Sequence, residues 1–250
     1  MGIKVKPKKK IGCLGIVGII IGALIVIGII IAIFSGGKGD GTADINTATA
    51  SDNTQNAANT STPAKETKSG IEFANIVLQS QLGYTNVIGE AINNDSKAHS
   101  FTLKVSFYDK DKKLLGTAVG AVNELNGGET KVFNAMATED YTKADSYKVQ
   151  VDTLVSSTNN KKSPIEFSNV VAKSQAGFST VDGEAKNTDS TDHSFTLVIA
   201  FYDSNKKLIG TATGAVNDLA AGDTKTFTAM ASGDYSKAAS YKVQVDTLVK

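Results

Sequence analysis

An all-β chain, built as two tandem Ig-like antiparallel β-sandwich domains behind one transmembrane helix and a disordered linker, is the fold the sequence predicts. Three observations carry that prediction. Sliding the chain by 94 positions lays residues 71–155 on residues 165–249 without a gap, and 55 of the 85 aligned positions are identical. Inside each copy the apolar residues recur with a period of two, the spacing of a half-buried strand. Ahead of both copies stands an uncharged run of 24 residues, at 11–34.

The N-terminal run reads IGCLGIVGIIIGALIVIGIIIAIF and is preceded by Lys4, Lys6, Lys8, Lys9 and Lys10. As a helix it would rise roughly 36 Å, enough to cross a hydrocarbon layer of ~30 Å with some tilt. The lysines at 1–10 place the N-terminus in the cytoplasm and everything after Phe34 outside. A cleaved signal peptide is disfavoured, because its apolar region is shorter and Phe34 is a poor residue at a cut. Cys13, the single cysteine, lies at the start of the run, whereas a lipoprotein cysteine would follow it. Lys6 stands where a myristoylation pattern wants Ser or Thr. Gly18 and Gly22 form a Gly-x-x-x-Gly pair, a spacing that lets two helices approach closely, and are the candidate face for a homodimer through the membrane.

Residues 35–70 are dominated by Gly, Ala, Ser, Thr and Asn and hold almost no large apolar side chain. Such a segment cannot bury enough surface to offset ordering entropy, so it reads as a disordered tether. Asn59 and Asn94 begin glycosylation sequons that matter only in a eukaryotic secretory pathway.

The first copy spans 71–155, a polar joint follows at 156–164, and the second copy spans 165–250. Phe101, Leu103, Val105 and Phe107 alternate with Thr102, Lys104, Ser106 and Tyr108, and Phe195 to Tyr202 repeat the pattern. Tyr147, Val149 and Val151 alternate with polar residues in a closing strand. FYDKDKKLLG, at 107–116, reads as a hairpin, its Asp residues favouring the turn. With further strands near 72–79, 84–92, 115–122 and 129–136, each copy has six or seven short strands and no convincing helix, the pattern of a sandwich.

Certain residues recur in both copies: Val87-Ile88-Gly89, the Asn-rich turn Asn93-Asn94-Asp95, Phe107-Tyr108-Asp109, Leu114-Leu115-Gly116, Phe133 and Tyr147-Lys148-Val149. Their counterparts include Gly183, Asn187, Phe201-Tyr202-Asp203, Leu208-Ile209-Gly210, Phe227 and Tyr241-Lys242-Val243. This pattern resembles the FxLYD domain family over both copies and over none of the first 70 residues. The resemblance implies a small β-sandwich on bacterial surface or membrane-anchored proteins, without an established enzymatic activity.

Composition narrows the chemistry. Every basic residue is Lys, and residues 71–250 carry 18 Lys against 21 Asp and Glu. Without the Arg fork or a clustered basic patch, nucleic acid is not an expected partner. His99 and His193 sit near acids, but one His per copy falls short of a zinc ligand set, so they read as surface residues at a strand entrance. Asp109-x-Asp111 lacks the glycine and closing glutamate of a calcium loop. No Gly-x-Ser-x-Gly elbow occurs. Glu90 and Glu184 read as outward strand positions, and Asp140-Tyr141-x-Lys143 as a solvated turn. No catalytic residue, metal site or cofactor is expected, and the chain is not read as an enzyme.

The expectation is a bacterial cell-surface protein, anchored in the cell membrane by a single span, whose two modules bind or scaffold outside the cytoplasm. A cell-wall polymer or an envelope protein is the expected partner, with two similar faces on one chain raising avidity. Lys104, Tyr108, Lys148 and Tyr202 are the candidate binding face. The alternative is an envelope signalling or assembly partner that self-associates through its transmembrane helix.

Overall fold

The computed structural model describes residues 70–249. The basic N-terminus, the apolar run with Gly18 and Gly22, and the tether up to residue 69 lie outside the described residues. Among those described, no helix is long and apolar enough to cross a membrane.

Six strands form the first sheet: β1 (Ile71–Gln81), β2 (Tyr84–Asn93), β3 (Ala98–Tyr108), β4 (Leu114–Leu125), β5 (Thr130–Met136) and β6 (Ser146–Ser157). Six more form the second: β7 (Ile165–Gln175), β8 (Phe178–Asn187), β9 (His193–Tyr202), β10 (Leu208–Leu219), β11 (Thr224–Ala231) and β12 (Ser240–Val249). The spatial orders are β1-β2-β5-β4-β3-β6 and β7-β8-β11-β10-β9-β12, so the duplicated sequence gives duplicated topology. Every paired strand is antiparallel.

Each sheet folds over on itself in a sandwich-like manner. In the first, β4 and β5 meet over only two residue pairs, Val119 with Met136 and Gly120 with Ala135, which leaves β1-β2-β5 and β4-β3-β6 as two halves. Phe73, on edge strand β1, meets Phe101 on β3 with ring centroids 6.2 Å apart and Phe133 on β5 at 5.6 Å, both edge-on. Such contacts require the halves to face each other. Between them lie Phe101, Leu103, Val105 and Phe107, with Val87, Val122, Leu125, Phe133 and Val149. The alternation in the sequence is thus the alternation of the core, and the second copy repeats it with Phe195, Leu197, Ile199 and Phe201.

The repeated phrase at 107–116 is a hairpin. Asp109 Oδ1 accepts from the Asp111 and Lys113 amides, both at 2.9 Å, and Lys112 takes φ 63°. Asp203 does the same with Asn205 and Lys207, at 2.8 and 2.9 Å. Behind it, Tyr141 stacks on Phe107 and Tyr235 on Phe201, with interplanar angles of 16° and 15°. Gly116 and Gly210 allow this, because a Cβ at either position would overlap the Tyr ring.

The copies also share a core. Ile88 and Val132 of the first sheet pack in one buried cluster with Val198, Ala200 and Leu208 of the second, flanked by Val77 and Tyr202. These residues point outward from their own sheets. The outer face of β1-β2-β5 therefore lies on the outer face of β10-β9-β12, stacking the halves in four layers.

Candidate binding faces

Hydrogen bonds ring the shared cluster. Gln244, on β12, donates from Nε2 to the Val132 carbonyl at 2.7 Å and accepts at Oε1 from the Val132 amide at 2.8 Å. Its amide group thereby acts as a neighbouring peptide for β5, whose edge away from β2 is met by β4 only at its end. Covering exposed backbone of this kind blunts a strand edge. Tyr202 Oη donates to Glu90 Oε1 at 2.9 Å, Gln79 Nε2 donates to the Ile209 carbonyl at 3.0 Å, and Thr211 Oγ1 donates to Asn134 Oδ1 at 3.2 Å.

The electrostatics reflect the closure. Burial, then the bond to Glu90 and its charge, pushes the Tyr202 phenol above its usual range. Burial raises the Asp246 carboxyl, partly offset by the Thr196 hydroxyl and by Lys131 of the other copy. The same burial lowers the Lys131 ammonium, whose Nζ donates to the Asn123 carbonyl at 2.7 Å.

Three of the four candidate residues come together on one open face. In β3, Lys104, Ser106 and Tyr108 share the outward side. The register sets Lys104 beside Gln150 and Ser106 beside Lys148. Lys104 Nζ lies 3.2 Å from Asp152 Oδ1 in a half-exposed ion pair. Leu114, opposite Tyr108 on β4, is 52% exposed.

Tyr202 does not join them. It occupies the matching face of the second copy, where Glu90 and the first copy cover it. The expected pair of equivalent faces is one open face and one packed against the other copy. Sequence periodicity puts Tyr202 outside its own sheet correctly, but it carries no information on what lies against that sheet.

The two histidines are buried, not on the surface, with 2% and 1% exposure for His99 and His193. His99 Nε2 pairs with Asp95 Oδ2 at 3.0 Å and its Nδ1 with Ser156 Oγ at 2.9 Å. His193 Nε2 pairs with Asp189 Oδ2 at 2.9 Å. A period-two reading puts them on the core side of their strands, and the adjacent acid supplies a hydrogen bond to each buried ring, while His193 Nδ1 is buried with no partner among the described residues. Among the described residues, no group of three or more His, Cys, Asp or Glu could hold a metal ion.

Beside each His lies a fully buried Asn that the sequence shows only as part of a turn. Asn93 Nδ2 donates to the carbonyls of Lys97, Leu125 and Asn126 at 2.7, 3.0 and 3.1 Å, while its Oδ1 accepts from the Asp95 amide at 2.9 Å. Asn187 repeats this with Thr191, Leu219, Ala220 and Asp189. Each side chain ties two connections together, β2–β3 to β4–β5 in the first copy and β8–β9 to β10–β11 in the second, and is structural.

A hollow of about 190 Å³ lies beside His99, lined also by Glu124, Asn126, Val155, Asn159 and Lys161. It falls below the ~300 to 1,000 Å³ of ordinary small-molecule pockets. The open faces remain as the candidate site. No family model matches the chain, and no curated protein matches it.

Proposed function

We propose that this chain is a bacterial cell-surface protein, held in the cell membrane by the apolar run at 11–34, that displays two tandem Ig-like modules of the FxLYD type as one extracytoplasmic unit. Its role is binding or scaffolding in the envelope, not catalysis. The observation that carries this reading is the shared core of Ile88, Val132, Val198, Ala200 and Leu208. Through it, both modules serve a single block whose outer β4-β3-β6 face presents Lys104, Tyr108 and Lys148. A face of half-exposed lysine, phenol and leucine suits adhesion to another envelope component better than capture of a small molecule, for which a concave apolar site is usual. The tether at 35–70 would let the block stand some 30 Å or more from the membrane.

Protease shaving of intact cells tests the display. Added protease should cut the tether and release a fragment containing the second copy, while a cytoplasmic marker survives. Protection of the fragment until the cells are lysed would reject surface display.

A further inference from the structure

The interface between the two copies is heterologous: it joins the β1-β2-β5 face of the first to the β10-β9-β12 face of the second, two different surfaces. Such a contact uses one of each kind and leaves one of each kind over. The surfaces left are the β4-β3-β6 face of the first copy and the β7-β8-β11 face of the second, at opposite ends of the four-layer stack. Each has the backbone of a surface that is already docked inside the chain.

Their side chains differ from the docked surfaces in a reciprocal way. Where Val198 meets the cluster containing Ile88, the open faces carry Lys104 and Asp182 at the same positions, a cation on one and an anion on the other. Where Gln79 reaches the Tyr235 hydroxyl at 3.3 Å, the open faces carry Lys173 and Tyr141, whose hydroxyl already donates to Glu139 at 3.1 Å. Both substitutions put lysine on one surface and a carboxylate on or beside the other. Within the single molecule Lys104 pairs with Asp152 at 3.2 Å and Lys173 with Asp182 at 3.4 Å, both exposed ion pairs that docking would exchange for pairs between molecules.

The remaining contacts keep their chemistry. Tyr108 and Glu184 repeat Tyr202 and Glu90. Leu114 and Val171, 52% and 50% exposed, repeat the buried Leu208 and the flanking Val77. Gln150 stands where Gln244 does, and exposed Thr226 on β11 stands where Val132 is bonded at the β5 edge.

We infer that the open β4-β3-β6 face of one molecule docks on the open β7-β8-β11 face of a second copy of this chain, repeating between molecules the contact that already joins the two modules within one. This rests on the display reading and names the partner of the Lys104 face. Because the contact is heterologous, its repetition produces an open row or a ring of copies on the membrane. Lys104 of one molecule then faces Asp182 of the next, and Lys173 faces Glu139.

The test uses the full chain, purified in detergent micelles, with Cys13→Ser, Lys104→Cys and Asp182→Cys combined. Mild oxidation should give a ladder of disulfide-linked species beyond the dimer, collapsed by reductant, whereas each single-cysteine variant, whose cysteine meets Asp182 or Lys104 across the contact and not a second cysteine, should stay monomeric. Monomer alone from the double-cysteine chain would overturn the inference. In the chain without added cysteines, Lys104→Asp or Asp182→Lys should weaken self-association in sedimentation equilibrium by about tenfold or more, since like charges then meet. The exchanged double variant should recover most of it. Equal self-association in all four proteins would also overturn the inference, as would a ladder abolished by Gly18→Ile with Gly22→Ile, which would assign the contact to the membrane segment. Failure here leaves surface display standing if intact cells are still shaved; protection of the fragment in those cells rejects display while the micelle result stands alone.

Discussion

Tyr202 donates its hydroxyl proton to Glu90 at 2.9 Å, across 112 positions of sequence and from one copy of the duplicated segment to the other. The same tyrosine in the first copy, Tyr108, faces outward on the open side. Two residues with nearly identical local sequence therefore have different jobs. Tyr202→Phe should cost about 1 to 2 kcal/mol, a charge-assisted hydrogen bond, while Tyr108→Phe should stay within about 0.5 kcal/mol, as surface changes usually do. Chemical denaturation followed by circular dichroism measures both.

Ile88 is fully buried in the shared cluster, and its counterpart, Asp182, is partly exposed. Ile88→Asp should separate the modules, because an unpaired carboxylate would replace a buried apolar side chain. Tryptic cleavage within 156–164 should accelerate. Asp182→Ile, on the open face, should leave that cleavage rate unchanged.

Asn187 Nδ2 serves three carbonyls from a fully buried position. Asn187→Ala leaves them without a donor and should lower stability by about 2 to 3 kcal/mol. Asn187→Asp should be no better, since a carboxylate cannot donate to those oxygens when ionised. Thermal melts of the two variants against the parent check this.

Asp95 and Asp189 are held below the usual carboxylate range, Asp95 chiefly by the Ser96 amide and then His99, Asp189 chiefly by His193 and then the Ser190 amide. Because the folded values are depressed, their contribution is complete above the unfolded pKa of about 3.9 and is lost as pH falls through the folded values. Stability should therefore drop below about pH 4. The double variant Asp95→Asn, Asp189→Asn should be less stable at pH 7 and should show a shallower fall in acid. Equal slopes would contradict the assignment.

The strands and the hairpin were readable because each copy's core uses strict alternation, as in Phe101 to Phe107. The shared core was not, because it breaks that rule: Val87 and Ile88 are adjacent and both buried, one in its own core and one in the interface. A signal for it did exist. Outward positions that are apolar in one copy and charged in the other, Ile88 against Asp182 and Val198 against Lys104, mark where otherwise similar surfaces meet different surroundings. The kink in β1 left less trace. Asn75 adopts φ 51° where the register with β2 shifts between Ala74 and Val77, and its Nδ2 donates to Glu90 Oε2 at 2.6 Å. Asn tolerates that backbone region, but one Asn in a strand does not announce a bulge.

The central claim is that the two copies form one block through Gln244 and the shared cluster. The direct measurement is amide hydrogen exchange, read by residue-resolved NMR on the full chain in micelles, at a concentration where it is monomeric. The Val132 amide, bonded to Gln244 Oε1, should exchange far more slowly than the Thr226 amide at the matching open edge. Equal and rapid exchange at Val132 and Thr226 would mean that the modules are separate beads on a chain, and the account would fail.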